Sequence, residues 1–174
     1  EAAAYVAGHL EQLTGLRGPR EPGPASGNPA SIRFDPQPGP KVSADEWARK
    51  VRELAERFVE RAFRRPLTPE LKKVYLDRQF ELARDPELAV KRVVVLALKS
   101  PRFLYKEGGS ATDGYATAER LAFALWDSLP DKELLEAAAA GKLSSREEVA
   151  KQATRMLGDP KAKAKLREFL FTWL

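Results

Sequence analysis

The sequence contains no cysteine, a single histidine and a single methionine. Without cysteine, the chain cannot form a disulfide, ligate an iron–sulfur cluster, bind zinc through thiolates or attach haem through a CxxCH motif. The one histidine, His9, has no second histidine and no adjacent nucleophile, so it predicts neither a metal site nor a catalytic triad. These absences exclude several classes of metalloprotein, although oxidising and reducing compartments both tolerate a cysteine-free domain.

Long hydrophobic runs are also missing. No stretch reaches the roughly eighteen consecutive apolar residues of a membrane helix. The opening residues, EAAAYVAGHL, begin with an acid and lack the apolar segment of a signal peptide. We therefore expect no transmembrane segment and no signal peptide in this chain, and an export signal would have to lie upstream.

Composition and charge are those of an ordinary globular protein. The 174 residues suit one domain, with 43% hydrophobic and 32% charged residues. The net charge is +5, but the 30 basic residues are interleaved with 25 acidic ones along the chain and form no basic stripe. The pattern argues against a nucleic-acid partner, and it leaves a basic surface that binds an acidic polymer as an alternative function.

Proline and glycine divide the chain into two predicted regions. Residues 2–14 have helical spacing of apolar residues, and Gly15 stands where a left-handed helix cap is expected. Seven of the thirteen prolines and five of the eleven glycines then fall between residues 15 and 40. We predict an N-terminal helix and Pro/Gly-rich linker over residues 1–42, followed by a helical domain over residues 43–174 that is a fragment of a larger module.

Helix-start signals recur through the second region. Each pairs a capping side chain with a proline at the first helical position or with a glutamate three residues later. These signals are Ser43 with Glu46, Thr68 with Pro69, Asp85 with Pro86, Ser144 with Glu147 and Asp159 with Pro160. Apolar residues then recur at helical spacing, and we expect Val74 and Leu82 to lie on the buried face of the helix after Thr68. In the last helix Leu166, Phe169, Leu170 and Trp173 lie on one side, and we expect Phe169 and Trp173 to face the core.

The run VVVLAL, residues 93–98, is open to two interpretations. Its β-branched residues suit a strand, but the capped start at Asp85 and the continuous apolar pattern favour a buried helix. We therefore predict an all-α fold, an irregular helical bundle of about eight helices with a long Pro/Gly-rich segment near the N-terminus.

The stretch RAFRRPLTPELKK, residues 61–73, holds the main candidate site. Arg61, Arg64 and Arg65 lie in the last turn of a predicted helix that ends before Pro66. A guanidinium there can bond the free carbonyl groups of a helix end or a carboxylate from another helix. The interpretation we favour is a structural clamp, and a partner contact and an anionic-ligand site remain the alternatives.

Arg102 and Tyr105 complete the set of candidate contact residues, since they lie just before the loop EGGSATDG. That loop is rich in glycine, but it lacks the spacing of a phosphate-binding loop. The sequence predicts no catalytic, cofactor-binding or metal-binding residues, and no pair of carboxylates is singled out for catalysis.

Four blocks resemble a known set of adjoining domains over residues 54–174. The blocks are FVERAFRRPLTPELKKVY, LALKSPRFLYKE, AERLAFALWDSLPDKELLEAAAAGKL and QATRMLGDPKAKAKLREFLFTWL. They are similar to the uncharacterised helical domains of planctomycete-type exported proteins that often also carry a c-type cytochrome module. The resemblance implies a periplasmic or extracellular location, a multidomain protein and no established catalytic residue.

The resemblance, together with the residues, favours a non-catalytic helical scaffold or interaction module of a larger exported, cytochrome-associated protein. Its partners would be other domains or chains of the same protein, or a c-type cytochrome. The chain itself would hold no cofactor, and haem would belong to a neighbouring domain. The alternative is part of an oxidoreductase or polysaccharide-acting enzyme whose remaining active-site groups lie outside this chain.

Overall fold

The computed structural model describes residues 1–16, 42–83, 85–105 and 113–174, and all regular structure within these ranges is helical, without a strand. The predicted all-α class is therefore confirmed. The α-helices are α1 Ala2–Gly8, α2 Leu10–Thr14, α3 Ala44–Phe63, α4 Pro69–Lys72, α5 Arg78–Leu82, α6 Pro86–Leu98, α7 Pro101–Leu104, α8 Gly114–Trp126, α9 Lys132–Ala139, α10 Arg146–Leu157 and α11 Pro160–Trp173. A π-helical turn, Lys73–Asp77, joins α4 to α5, and a 3-10 turn, Lys142–Ser144, precedes α10.

The predicted Pro/Gly-rich linker and most of the EGGSATDG loop lie outside the described residues. The proposed division of the chain at residue 42 therefore stays a prediction.

The capping signals place the helix starts with one error. Leu88 donates its backbone N–H to Asp85 Oδ1 at 2.7 Å, and the side chains of Ser43, Thr68 and Asp159 cap their helices in the same way. The predicted cap at Ser144 is wrong. Because residues 142–144 form the 3-10 turn, α10 starts one residue later, and Ser145 Oγ accepts the N–H of Glu148 at 3.2 Å.

The predicted helix over residues 2–14 is interrupted at His9. Its backbone angles, φ −116° and ψ 19°, are not helical, and its ring Nδ1 donates to the Tyr5 carbonyl at 2.8 Å. Gly15 has φ +69°, the left-handed conformation expected of a glycine that ends a helix. The His9 side chain is therefore bound to a main-chain carbonyl of α1.

The first of two structural units comprises residues 1–59 and 67–99. Within it α6 packs against α1 and against α5. The VVVLAL run is helical, which confirms the favoured interpretation, and Val90, Val93 and Val94 are almost completely buried. Val95 remains about half exposed, so α6 is not buried all round.

The π-helical turn and α5 do not follow the inward face that the sequence pattern predicts. The sequence pattern places Val74 and Leu82 on the buried side, but both are about half exposed, whereas Leu76 is fully buried. A π turn inserts one extra residue, so it rotates the positions that follow relative to a regular helix. A pattern based on 3.6 residues per turn cannot anticipate that shift.

The second unit comprises residues 60–66 and 100–174. Its core forms where α8 meets α9, α10 and α11. The indole Nε1 of Trp126 donates to the Met156 carbonyl at 2.9 Å, so the buried ring has its polar group satisfied. The buried residues of this core are Ala118, Ala122, Trp126, Leu134, Ala137, Ala138, Leu143, Met156 and Ala162.

The last helix, α11, departs from the expected core packing. Of its residues only Ala162 is buried. The expectation that Phe169 and Trp173 face the core is wrong, since they expose 57% and 75% of their surface. None of the described helices is long and apolar enough to cross a bilayer.

Candidate functional site

The candidate site begins at an unusual helix end. Arg64 has φ +60°, a left-handed conformation that glycine normally supplies at the end of a helix. Its N–H donates to the Arg61 carbonyl at 3.3 Å, and the Arg65 N–H donates to the Glu60 carbonyl at 3.2 Å. This pair of hydrogen bonds defines a Schellman motif at the end of α3. An arginine occupies the glycine position despite a conformational cost of about 1 kcal/mol.

The side chain of Arg64 explains why arginine is kept there. Its Nη2 donates to the carbonyls of Arg102 at 2.7 Å and Tyr105 at 3.2 Å, and its Nη1 donates to those of Ala62 at 3.2 Å and Phe103 at 3.4 Å. Three of these carbonyls belong to α7 and the residue after it, where a helix end leaves acceptors without intrahelical donors. The guanidinium therefore caps α7 from outside.

A buried carboxylate accompanies this cap. Arg64 Nε lies 3.0 Å from Glu119 Oε1 on α8, in an ion pair rather than an aligned hydrogen bond. The two side chains expose only 4% and 3% of their surface. The guanidinium also lies 5.7 Å from the centroid of the Phe123 ring, within cation–π distance. The charge of Arg64 is thus balanced inside the protein.

Arg65 makes a second, more exposed link to α8. Its Nη2 lies 3.2 Å from Asp113 Oδ2, and its guanidinium lies 6.0 Å from the centroid of the Tyr115 ring. Asp113 also caps α8 by accepting the N–H groups of Tyr115 and Ala116. Burial raises the pKa of Asp113, but the hydrogen bond from Ala116 and the charge of Arg65 outweigh it, so that its pKa lies below the usual value.

The other candidate residues are placed differently. The main-chain oxygens of Arg102 and Tyr105 bind Arg64, but the Tyr105 side chain is 70% exposed. Arg61 has an exposed side chain and enters the site through its carbonyl alone. The structure therefore gathers Arg64, Arg102 and Tyr105 through backbone acceptors. A partner contact by Arg61, Arg65 or Tyr105 stays a prediction.

Sequence reasoning missed Glu119, although the sequence contains a signal for it. The acid lies three residues from both Ala116 and Ala122, on the apolar face of α8. A carboxylate on such a face needs a buried cation, because an unpaired buried charge is costly. The cluster of Arg61, Arg64 and Arg65 was the obvious source of that cation.

The contacts of the Arg64 side chain restrict which ligands could bind at the end of α3. A guanidinium has five N–H donors. In Arg64 the Nη1 and Nη2 groups bind four carbonyls, and Nε faces Glu119. An anionic ligand would have to displace these internal acceptors. Within the described residues, no group of three or more His, Asp or Glu side chains could hold a metal ion, and the cysteine-free chain does not fit covalently attached haem.

Two family models match separate parts of the chain. Residues 50–107 match PSD5, a protein of unknown function (DUF1595), and residues 112–174 match PSD4, a protein of unknown function (DUF1592). Both matched families are of unknown function. No curated protein and no solved structure matches it.

The second structural unit draws residues from both matched segments. The PSD5 segment supplies Arg64 and the carbonyls of residues 102–105, and the PSD4 segment supplies Glu119 and Phe123. The two matched segments therefore do not coincide with the two structural units. The buried Arg64 belongs to one segment and contacts residues of the other.

Proposed function

We propose that the chain is a non-catalytic helical scaffold that joins neighbouring segments of a larger exported, c-type cytochrome-associated protein. The observation that carries this proposal is the buried Arg64, which binds four carbonyls of the PSD5 segment and the Glu119 carboxylate of the PSD4 segment. Its Nη groups bind carbonyls of the chain and its Nε faces Glu119, so a reactant would have to displace these internal contacts. Haem would belong to another domain or chain.

The scaffold role is tested by cutting the chain between the two family segments. A protease site inserted between Gly108 and Gly109, outside the described residues, separates Arg64 from Glu119 covalently. We expect the two fragments to co-elute from a size-exclusion column after cleavage, because the ion pair and the packing around it hold them together. Separation of the unmodified fragments would refute the proposed role.

Two variants make that test specific to the clamp. Arg64→Lys keeps the charge but loses the planar fork of donors, so its cleaved fragments should dissociate at lower denaturant than those of the unchanged chain. Arg61→Met, on the same helix end but exposed, is the matched control and should not differ. Circular dichroism of the uncut variants shows whether each one still folds.

The wider setting needs the full gene product in its own cells. We expect the tagged protein in the exported fraction, with c-type haem detected by haem staining in the same polypeptide or in a co-purified one. A cytoplasmic protein without haem would overturn the cytochrome association. Turnover of a substrate by the purified 174-residue chain alone would overturn the non-catalytic assignment.

A further inference from the structure

The exposed end of α11 forms one side of an apolar groove in the second unit. The groove has a volume of about 320 Å³. Its apolar lining consists of Ala124, Leu125, Leu157, Ala162, Leu166 and Phe169. Leu157, Leu166 and Phe169 each expose more than half of their surface, so the groove is open to a partner.

The apolar surface continues along α11 past the groove. Phe169 and Trp173 stack with ring centroids 6.3 Å apart, and Leu170 is 43% exposed beside them. Contiguous exposed apolar surfaces of this kind mark contacts with another protein or a membrane, because leaving them in water is unfavourable. The α11 groove, defined by these residues and the groove lining, is therefore a candidate docking surface.

The basic residues of α11 fall into two groups. Lys161 lies 4.9 Å from the centroid of the Trp126 ring, and Lys165 binds the Phe123 carbonyl and Asp127, so both are engaged within the second unit. Lys163 and Arg167 are exposed and form no ion pair within the described part of the chain. They are four residues apart and neighbour Leu166 and Leu170 on the helix surface, so an unpaired positive border runs along the apolar groove.

We propose that the α11 groove binds an amphipathic helix of a partner protein, with Asp or Glu residues bordering the apolar face of that helix. The apolar lining of the groove packs against the apolar face of such a helix, as in other helix-in-groove complexes. Carboxylates on its border meet Lys163 and Arg167. This inference rests on the proposed scaffold role and names the class of partner that the scaffold would bind.

Two other occupants fit less well. A second copy of this chain would bring its own Lys163 and Arg167 to the same surface, and like charges would face each other. An anionic membrane would satisfy the charges, but the apolar residues line a concave groove between three helices rather than one flat face. A helix fills such a groove, whereas a bilayer surface does not enter it.

Synthetic peptides of about 18 residues, five helical turns, test the proposal directly. One peptide has a leucine face bordered by glutamates, and its matched control has lysines in place of the glutamates. We expect the acidic peptide to bind the 174-residue chain at least about tenfold more tightly in about 50 mM salt, with a smaller preference in about 300 mM salt. Fluorescence anisotropy of labelled peptides measures both affinities.

Charge reversal on the chain makes the test decisive. The double substitution Lys163→Glu with Arg167→Glu should reverse the preference, so that the lysine peptide binds more tightly. Lys132→Glu, at an exposed position on α9 away from the groove, is the matched control and should keep the original order. Equal binding of the two peptides, or an order that charge reversal leaves unchanged, overturns the proposal.

The competing occupants give different outcomes. Co-sedimentation with anionic phospholipid vesicles, combined with no peptide binding, would assign the surface to a membrane. A concentration-dependent dimer in light scattering that Leu166→Asp abolishes would assign it to a second copy. If the peptides fail while cleaved fragments still co-elute, the docking inference is wrong and the scaffold proposal stands. Dissociation of the unmodified fragments refutes the scaffold role independently of the groove.

Discussion

Charged side chains are usually exposed and aromatic side chains usually buried. The end of α3 at Arg64 departs from the first rule, and the end of α11 departs from the second. At the end of α3, a guanidinium and a carboxylate are buried with 4% and 3% exposure. At the end of α11, Phe169 and Trp173 are mostly exposed. A buried charge is tolerated only when it is paired. An exposed apolar surface of this size commonly marks a binding site for another protein or a membrane. Arg64 and Glu119 therefore stabilise this fold, whereas Phe169 and Trp173 are available to bind another molecule.

The largest loss of stability is expected when the buried cation is removed. Arg64→Met should lower the free energy of unfolding by about 3 to 5 kcal/mol, because Glu119 is then left as a buried charge without its cation. Loss of the four hydrogen bonds to carbonyls adds to the effect. Urea denaturation of the 174-residue chain, followed by circular dichroism, measures the change.

A double-mutant cycle shows whether the ion pair is the cause. Combining Arg64→Met with Glu119→Leu should cost less than the sum of the single changes by about 1 to 3 kcal/mol. Arg61→Met, an exposed arginine of the same helix end, should stay within about 0.5 kcal/mol. Strict additivity of the two buried substitutions would show that Arg64 and Glu119 act separately.

The sequence predicted the fold class and most helix starts, because capping residues act within one turn and need no distant partner. The serine or threonine caps at Ser43 and Thr68, and the aspartate caps at Asp85 and Asp159, are examples. It did not predict the π turn or the pairing of Arg64 with Glu119, residues 55 positions apart in the sequence. Local patterns cannot specify a contact of that separation.

The candidate site could be predicted in part for the same reason. The cluster Arg61, Arg64 and Arg65 was visible from its charge and from Pro66, but local charge cannot tell which arginine turns inward. That depends on the left-handed backbone at Arg64 and on acceptors supplied by α7 and α8. Likewise, the helical spacing of Leu166, Phe169 and Trp173 shows that they share a face, but not whether anything covers it.

A smaller effect is expected at an ion pair that is only partly buried. Arg155 contacts Asp131 with both Nη groups, at 2.8 and 3.1 Å, and Asp131 also caps α9 through the N–H of Leu134. Burial raises the pKa of Asp131, but the hydrogen bonds from Arg155 and Leu134 outweigh it, so the pKa lies below its usual value. Asp131→Asn keeps a capping oxygen but removes the charge, and should cost about 1 kcal/mol at neutral pH.

The pH dependence of stability identifies the charge as the cause. Because the pKa of Asp131 is lower in the folded than in the unfolded state, its contribution is complete above the unfolded value of about 3.9 and is lost as pH falls through the folded value. Stability of the unchanged chain should therefore fall more steeply below about pH 4 than that of Asp131→Asn. Asp159→Asn, at a helix cap without a bidentate arginine, is the control, and an equal flattening there would contradict the assignment.

The smallest change in stability is expected at the end of α11. Trp173→Ser should alter the free energy of unfolding by no more than about 0.5 kcal/mol, because 75% of the Trp173 surface is already in water. Trp126→Ser, at a buried tryptophan of the same unit, should cost about 3 to 5 kcal/mol through the cavity it leaves. A loss above about 1 kcal/mol for Trp173→Ser would mean that the indole packs within the folded chain and is not free to bind a partner. Unchanged stability with weaker binding of the acidic peptide would assign Trp173 to the docking surface, because only a contact made in the complex separates the two measurements.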